Sequence, residues 1–275
     1  MAHRPEKRAR KKEHRDQVLA QQAAALRRRR LIRLGVIALV LVALVGIVAG
    51  SFLGGDDLAT PQEASGPSLP EGCEETDAPE GEVPQFDSRP DMQLEDGVDY
   101  GAVIQTSCGE IEMDLLEKVA PTTVNNFVFL AGEGYFDGLP WHRIEQNAVL
   151  QTGDPNGVNG EAPDDPGYSI PDELGGVKPE DYVYGVVGMA NAGPGTGGSQ
   201  FFIVIHDYEG VQEGDPEPAT YPPNYTIFGL VDESSWATLQ TLGKVPINAD
   251  APEGSAEAVE PKVPVFVDAI EITEI

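Results

Sequence analysis

Residues Leu34 to Leu53, LGVIALVLVALVGIVAGSFL, run for twenty positions without a charge. As a helix that length spans about 30 Å, the thickness of a bilayer's hydrocarbon core. Arg27–Arg30 and Arg33 stand just before the run, and Asp56 and Asp57 just after it. The positive-inside tendency then places residues 1–33 in the cytoplasm and the rest of the chain outside. A cleaved signal peptide is the alternative, and Ala49-Gly50-Ser51 offers a cleavage point; its apolar stretch is usually about 7–15 residues, which favours the anchor. A lipoprotein anchor needs a Cys at the end of the run, and none is there. The Arg cluster argues against a buried core helix.

Charge divides at the same boundary. Twelve of the 18 Lys and Arg lie in residues 1–33 beside three acids, so the remainder holds six basic and 43 acidic residues. A basic head on an acidic body suits two environments. The head has no aromatic residue for stacking on bases, so topogenic charge and anionic lipid explain it better than nucleic acid.

Four regions follow. These are a basic tail (1–33), a transmembrane helix (34–53), an acidic, Pro- and Gly-rich disordered linker (54–99) and a folded domain (100–275). The linker has few large apolar residues, so extended chain is expected there. In the domain, Ala102–Ser107 and Glu110–Leu115 read as strands; Ile111, Met113 and Leu115 alternate with acids, the period-2 pattern of a half-buried strand. Pro121-Thr122-Thr123 opens a helix capped by Thr122 or Thr123. Val124, Phe127 and Leu130 form its inward stripe, and Gly132 and Gly134 end it. Tyr182–Met189, Phe201–Ile205, Tyr225–Val231 and Val263–Ile272 are further strand candidates, and Ser234–Leu242 suits a second helix with Trp236 and Leu239 or Leu242 inward. Short strands with Gly and Pro turns predict a mainly β fold, a closed antiparallel barrel. Asp154–Asp181 lacks periodicity, and a loop that long in a compact domain is usually functional.

Common chemistries find little support. No nucleophile elbow, paired-His zinc motif or phosphate-binding loop occurs. Two Cys with no nearby His give no zinc site, so neither metal nor cofactor is expected. Two segments are far more specific: LPWHRIEQNAVLQTGD (Leu139–Asp154) and GMANAGPGTGGSQFFI (Gly188–Ile203). With PTTVNNFVFLAGEGYFDG before them and NYTIFGLV after, these blocks resemble, in order, the cyclophilin family of peptidyl-prolyl cis-trans isomerases. The resemblance covers about Tyr100 to the C-terminus.

The resemblance implies an eight-stranded antiparallel barrel capped by two helices, with the site on its outer face. It implies Arg143 as the catalytic donor and Gln151 as the residue orienting its guanidinium. Ala190, Asn191 and Gln200 fall at positions that bind the peptide backbone. Phe202 falls at the floor of the proline pocket, Val149 at an apolar pocket position, and Tyr225 where many members have His. The implied partners are Pro-containing polypeptides, unfolded or exported, with cyclosporin as a further ligand. The chain departs from the family at Ala148, where many members have Phe, and at Tyr221-Pro222-Pro223-Asn224, where some carry a Trp. Glu145-Gln146-Asn147 after Arg143 is also unusually polar.

Blander readings exist for each residue. Arg143 could be a surface ion-pair partner, and Gln151, Gln200 and Asn191 could satisfy turns. One of Phe201 and Phe202 must be core by strand alternation, Tyr225 suits core as well as rim, and His142 reads as structural. A non-catalytic module that docks Pro-containing segments, as a chaperone or scaffold, is the rival to the enzyme. Cys73 and Cys108, the only cysteines, permit a disulfide in an oxidising compartment, the alternative being two unpaired thiols.

Overall fold

The computed structural model describes residues 67–76, 83–156, 165–206, 222–252 and 255–275. The basic tail and the apolar segment 34–53 lie outside the described residues. Among the described residues, no helix is long and apolar enough to cross a membrane.

Eight antiparallel strands form one curled sheet: β1 (Tyr100–Thr106), β2 (Gly109–Leu115), β3 (Arg143–Glu145), β4 (Val149–Thr152), β5 (Val186–Met189), β6 (Phe201–Val204), β7 (Thr226–Val231) and β8 (Val267–Glu274). Their order across the sheet is β3-β4-β6-β5-β7-β2-β1-β8. Full closure by strand pairing, as expected from sequence, is corrected. The edge strands β3 and β8 share no ladder, and the stretch before β3 joins them instead. Trp141 N–H donates to the Val265 carbonyl (2.9 Å), and Gly138 N–H to that of Val267 (2.7 Å). The junction, with Pro140 opposite Phe266, involves Val265–Val267, and β8 begins at Val267, later than its apolar run suggests.

Helix α1 (Pro121–Gly132) packs on the main core, with Val124, Phe127 and Leu130 fully buried. The Phe127 ring sits 5.3 Å from Phe136, 5.5 Å from Phe201 and 5.3 Å from Phe228. Truncating a ring so enclosed typically costs about 3–5 kcal/mol. Helix α2 (Trp236–Leu242) buries Leu239 and Leu242 against the same core.

The cap of α1 differs from expectation. Ala120 holds the N-cap position and no side chain of the first turn caps the helix. Glu173, fifty residues on, supplies the acceptor. Its carboxylate receives the N–H groups of Thr122 (3.0 Å) and Thr123 (2.8 Å) and the Thr123 hydroxyl (2.9 Å). A carboxylate there meets both the unpaired amides and the positive end of the helix dipole.

The expected disordered linker is also corrected where it is described. Residues 83–99 hold no regular element, yet Phe86 packs edge-on against Phe129 (4.9 Å), and its N–H donates to the Pro166 carbonyl (2.9 Å). Asn125 on α1 accepts from Gln93 N–H (2.7 Å) and donates to the Asp91 carbonyl (3.0 Å). A few apolar residues, Val83, Phe86, Leu94 and Val98, suffice because each docks on a core already formed. Further upstream, Cys73 and Cys108 form a disulfide across 35 residues.

Candidate active site

β3 and β4 form a hairpin around Gln146-Asn147-Ala148. Asn147 takes the left-handed conformation (φ 62°) that Asn tolerates better than most residues. Ala148 N–H closes the turn on the Glu145 carbonyl (2.9 Å). The register sets Arg143 opposite Gln151 and Glu145 opposite Val149. Ile144, between Arg143 and Glu145, is fully buried, so those two side chains share the outer face.

Three side chains then link in series. Arg143 Nη1–H donates to Gln151 Oε1 (3.0 Å), and Gln151 Nε2–H donates to Gln200 Oε1 (2.9 Å). Gln200 stands just before β6, whose Phe202 faces Gln151 across the β4–β6 ladder. Glu145 takes an N–H from the other terminal nitrogen of Arg143, at 2.5 Å. Both side chains of this pair are 41% exposed, so the guanidinium is held from two sides and still open to solvent.

Beside this network the outer face is apolar. Phe201 turns inward and Phe202 outward, as alternation requires. Phe202 joins Val149, Val186, Val204, Ile227 and Tyr182 in a cluster separate from the main core, with Ala190 and Tyr225 packed against it. Tyr225 is partly buried against this cluster: its ring stands 5.3 Å from Phe202, nearly perpendicular. The Phe202 ring covers Gly188 so closely that an added Cβ would fall 2.4 Å from Cζ. On the other flank, Gly153 has φ 85°, and a Cβ there would meet the Ser199 carbonyl oxygen at 2.3 Å. Glycine at 153 thus allows β4 to lie against the residues that place Gln200.

The residues expected to bind peptide border this apolar cluster. Ala190 N–H pairs with the Gln200 carbonyl (2.9 Å). The Asn191 amide donates to the Asn224 carbonyl (2.8 Å) and toward Asp172 Oδ1 (3.3 Å), while its oxygen accepts from Gly193 N–H (3.2 Å). Those bonds fix the side chain, so Asn191 has its main chain to offer a peptide. Ala148, where many cyclophilins have Phe, is buried in the turn and belongs to neither apolar cluster.

Sequence reading missed three supporting residues. Tyr182 ties the apolar cluster to Tyr225: its hydroxyl donates to the Tyr225 carbonyl (2.8 Å) and accepts from the Tyr225 N–H (3.1 Å). Burial raises that phenol's pKa. Asp172 accepts from Gly195 N–H (2.8 Å) besides Asn191, and Glu173 N–H bonds Thr226 Oγ1 (2.8 Å) at the start of β7. The long loop after β4 therefore buckles together α1, β7 and the 191–195 turn, each contact spanning too many residues to show in local patterning. Nearby, burial holds the His142 imidazole below its ordinary pKa; Asp154 opposes that shift and Arg143 adds to it. Burial also pushes the Tyr135 phenol, beside Ser199, up to about 12.

A guanidinium fixed by an amide chain therefore stands beside an outward apolar cluster on one face of the curled sheet. Among the described residues, no cluster of His, Cys, Asp and Glu is arranged to hold a metal ion. The family model for cyclophilin type peptidyl-prolyl cis-trans isomerases matches residues 102–265, and the chain belongs to that family. It is 34% identical over 174 residues to a probable peptidyl-prolyl cis-trans isomerase B of Mycobacterium leprae, covering 58% of this chain and 54% of that one. It is 36% identical over 163 residues to a peptidyl-prolyl cis-trans isomerase-like 1 of Aspergillus fumigatus, covering 58% and 93%. The chain spans about half the length of the first curated relatives it matches. Among solved structures it is similar to a cyclophilin type isomerase of Cryptosporidium parvum in the presence of the dipeptide Ala-Pro. That match has 28% identity and a TM-score of 0.50, covering 63% of this chain and 98% of that one.

Proposed function

We propose that the domain catalyses cis-trans isomerisation of X-Pro bonds in unfolded or exported polypeptides, at the outer face of a membrane to which residues 34–53 anchor it. The observation that carries the reading is Arg143, fixed by Gln151 and Gln200 beside the Phe202–Val149 cluster. An X-Pro bond turns slowly, in about 10–100 s, because amide resonance resists twisting. No covalent chemistry is needed to hasten it. The pocket grips the proline ring, the Ala190–Asn191 edge aligns the flanking peptide, and Arg143 donates to the prolyl nitrogen or adjacent carbonyl as the amide leaves planarity. Binding the twisted state better than either planar one supplies the rate. The available main chain of Asn191 and the outward Phe202 ring also suit cyclosporin as a competing ligand.

The topology rests on the charge change across 34–53 and on the Cys73–Cys108 bridge, since disulfides persist in oxidising compartments. The rival, a non-catalytic docking module, is favoured by Ala148 and by the occupation of Arg143 by Glu145. Turnover of short Pro peptides by the wild-type chain separates the two readings: measurable catalysis supports the enzyme, and binding without catalysis supports the module. Protease added to intact cells should remove the domain and spare the tail, and a protected domain would refute the topology.

A further inference from the structure

We propose that Glu145 is a positioning residue for Arg143 and makes the site discriminate against acidic residues beside the substrate's proline. The proposal rests on the isomerase reading above. Arg143 and Glu145 stand two apart on β3 with Ile144 buried between them, so both project from the outer face. Gln151 holds Nη1 and Glu145 holds Nη2. Of the five N–H donors of a guanidinium, these bonds take two, leaving the remainder for substrate while fixing the plane from both ends. An arginine held at one end only would swing about its last torsions, and a small misplacement at a reacting centre is costly.

The second consequence is electrostatic. Glu145 lies across the ladder from Val149, and such partners have Cβ atoms about 4.5–5.5 Å apart. The Glu145 side chain therefore lies on the same outer face as Val149, next to the Phe202 cluster, and is 41% exposed. Among the described residues Arg143 is the one cation of the site, and from residue 34 onward the sequence holds six basic residues against 43 acidic ones. Glu145 cancels its charge locally, so an acidic flanking residue finds no net attraction. Removing that carboxylate would uncover the guanidinium and draw acidic segments in. One unit charge at roughly 4 Å in bulk water changes an interaction about five-fold.

The test uses the full-length chain in mild detergent and three short peptides, Ala-Lys-Pro-Phe, Ala-Ala-Pro-Phe and Ala-Glu-Pro-Phe. Both kcat/KM and the peptide Kd, from NMR titration, are measured for wild type, Glu145→Gln and Glu145→Ala. Gln keeps an acceptor for Arg143 without the charge. The expected result for Glu145→Gln is a smaller fall in turnover of the Ala peptide than Glu145→Ala shows, with the Lys-over-Glu preference reduced about five-fold. For Glu145→Ala the same loss of preference should accompany a several-fold fall in turnover of the neutral peptide, at an unchanged melting temperature. An active wild type whose preference is unaltered by either substitution would overturn the proposal and leave the isomerase reading intact. If wild type turns over none of the peptides, the isomerase reading fails; the Kd preference then decides Glu145's charge role by the same five-fold criterion.

Discussion

Replacing Glu173 by Ala should destabilise the domain by about 2–4 kcal/mol, although Glu173 lies in a loop outside any helix or strand. Three donors converge on its carboxylate: two first-turn amides of α1 and the Thr123 hydroxyl. Thr123 is fully buried, so water cannot replace the acceptor there. Loss of a helix cap costs about 0.5–2 kcal/mol, and each buried donor left unpaired about 1–3 kcal/mol. Partial relaxation of the turn keeps the total below the simple sum. With a urea m-value near 2 kcal/mol per molar for a domain this size, the midpoint should fall by about 1–2 M. The assay is urea unfolding at neutral pH, followed by circular dichroism with the disulfide intact. Glu180→Ala, a change in an exposed residue whose nearest cation is Lys178 at 3.8 Å, is the control and should move the midpoint little. A Glu173→Ala midpoint equal to that of the control would refute the distal-cap account.

Two further outcomes follow from the same structure. Reducing Cys73–Cys108 should lower stability by roughly 3–4 kcal/mol, the chain-entropy value for a 35-residue loop, and thiol labelling of the unreduced, denatured chain should find no free cysteine. Because burial depresses the His142 pKa, the unfolded state takes up a proton there first. His142 therefore contributes stability above about pH 6.5, its ordinary value, that is lost as pH falls below it, and melting temperatures of wild type and His142→Gln between pH 7.5 and 5 should diverge accordingly.

The parts of the site that were legible in the sequence are those set by short-range geometry. Arg143 and Gln151 lie eight residues apart around one hairpin, and the Phe201-Phe202 pair is sorted by strand alternation alone. The α1 stripe of Val124, Phe127 and Leu130 was equally plain, because helical periodicity needs no tertiary information. Long-range satisfaction of polar groups was not legible. Glu173 caps a helix fifty residues earlier, and Tyr182 secures a tyrosine 43 residues later. Strand ends differ from the local pattern for a related reason. The turn at Pro179–Asp181 ends on Tyr182, which joins the Phe202 cluster, and β5 begins only at Val186. The linker's docking escaped notice because it depends on a surface formed by Phe129 and Tyr168 rather than on its own composition.

The central claim is that Arg143 supplies the directed donor for isomerisation. The decisive measurement is the rate of cis-to-trans conversion of a short Pro peptide by wild type and by Arg143→Ala, with circular dichroism and melting temperature in parallel. A half-exposed Arg contributes less than about 0.5 kcal/mol to stability, so the variant should remain folded. Loss of one preorganised donor typically costs about 10²–10³ in rate, and kcat/KM should fall by that much. A folded Arg143→Ala that retains the full wild-type rate would contradict the account.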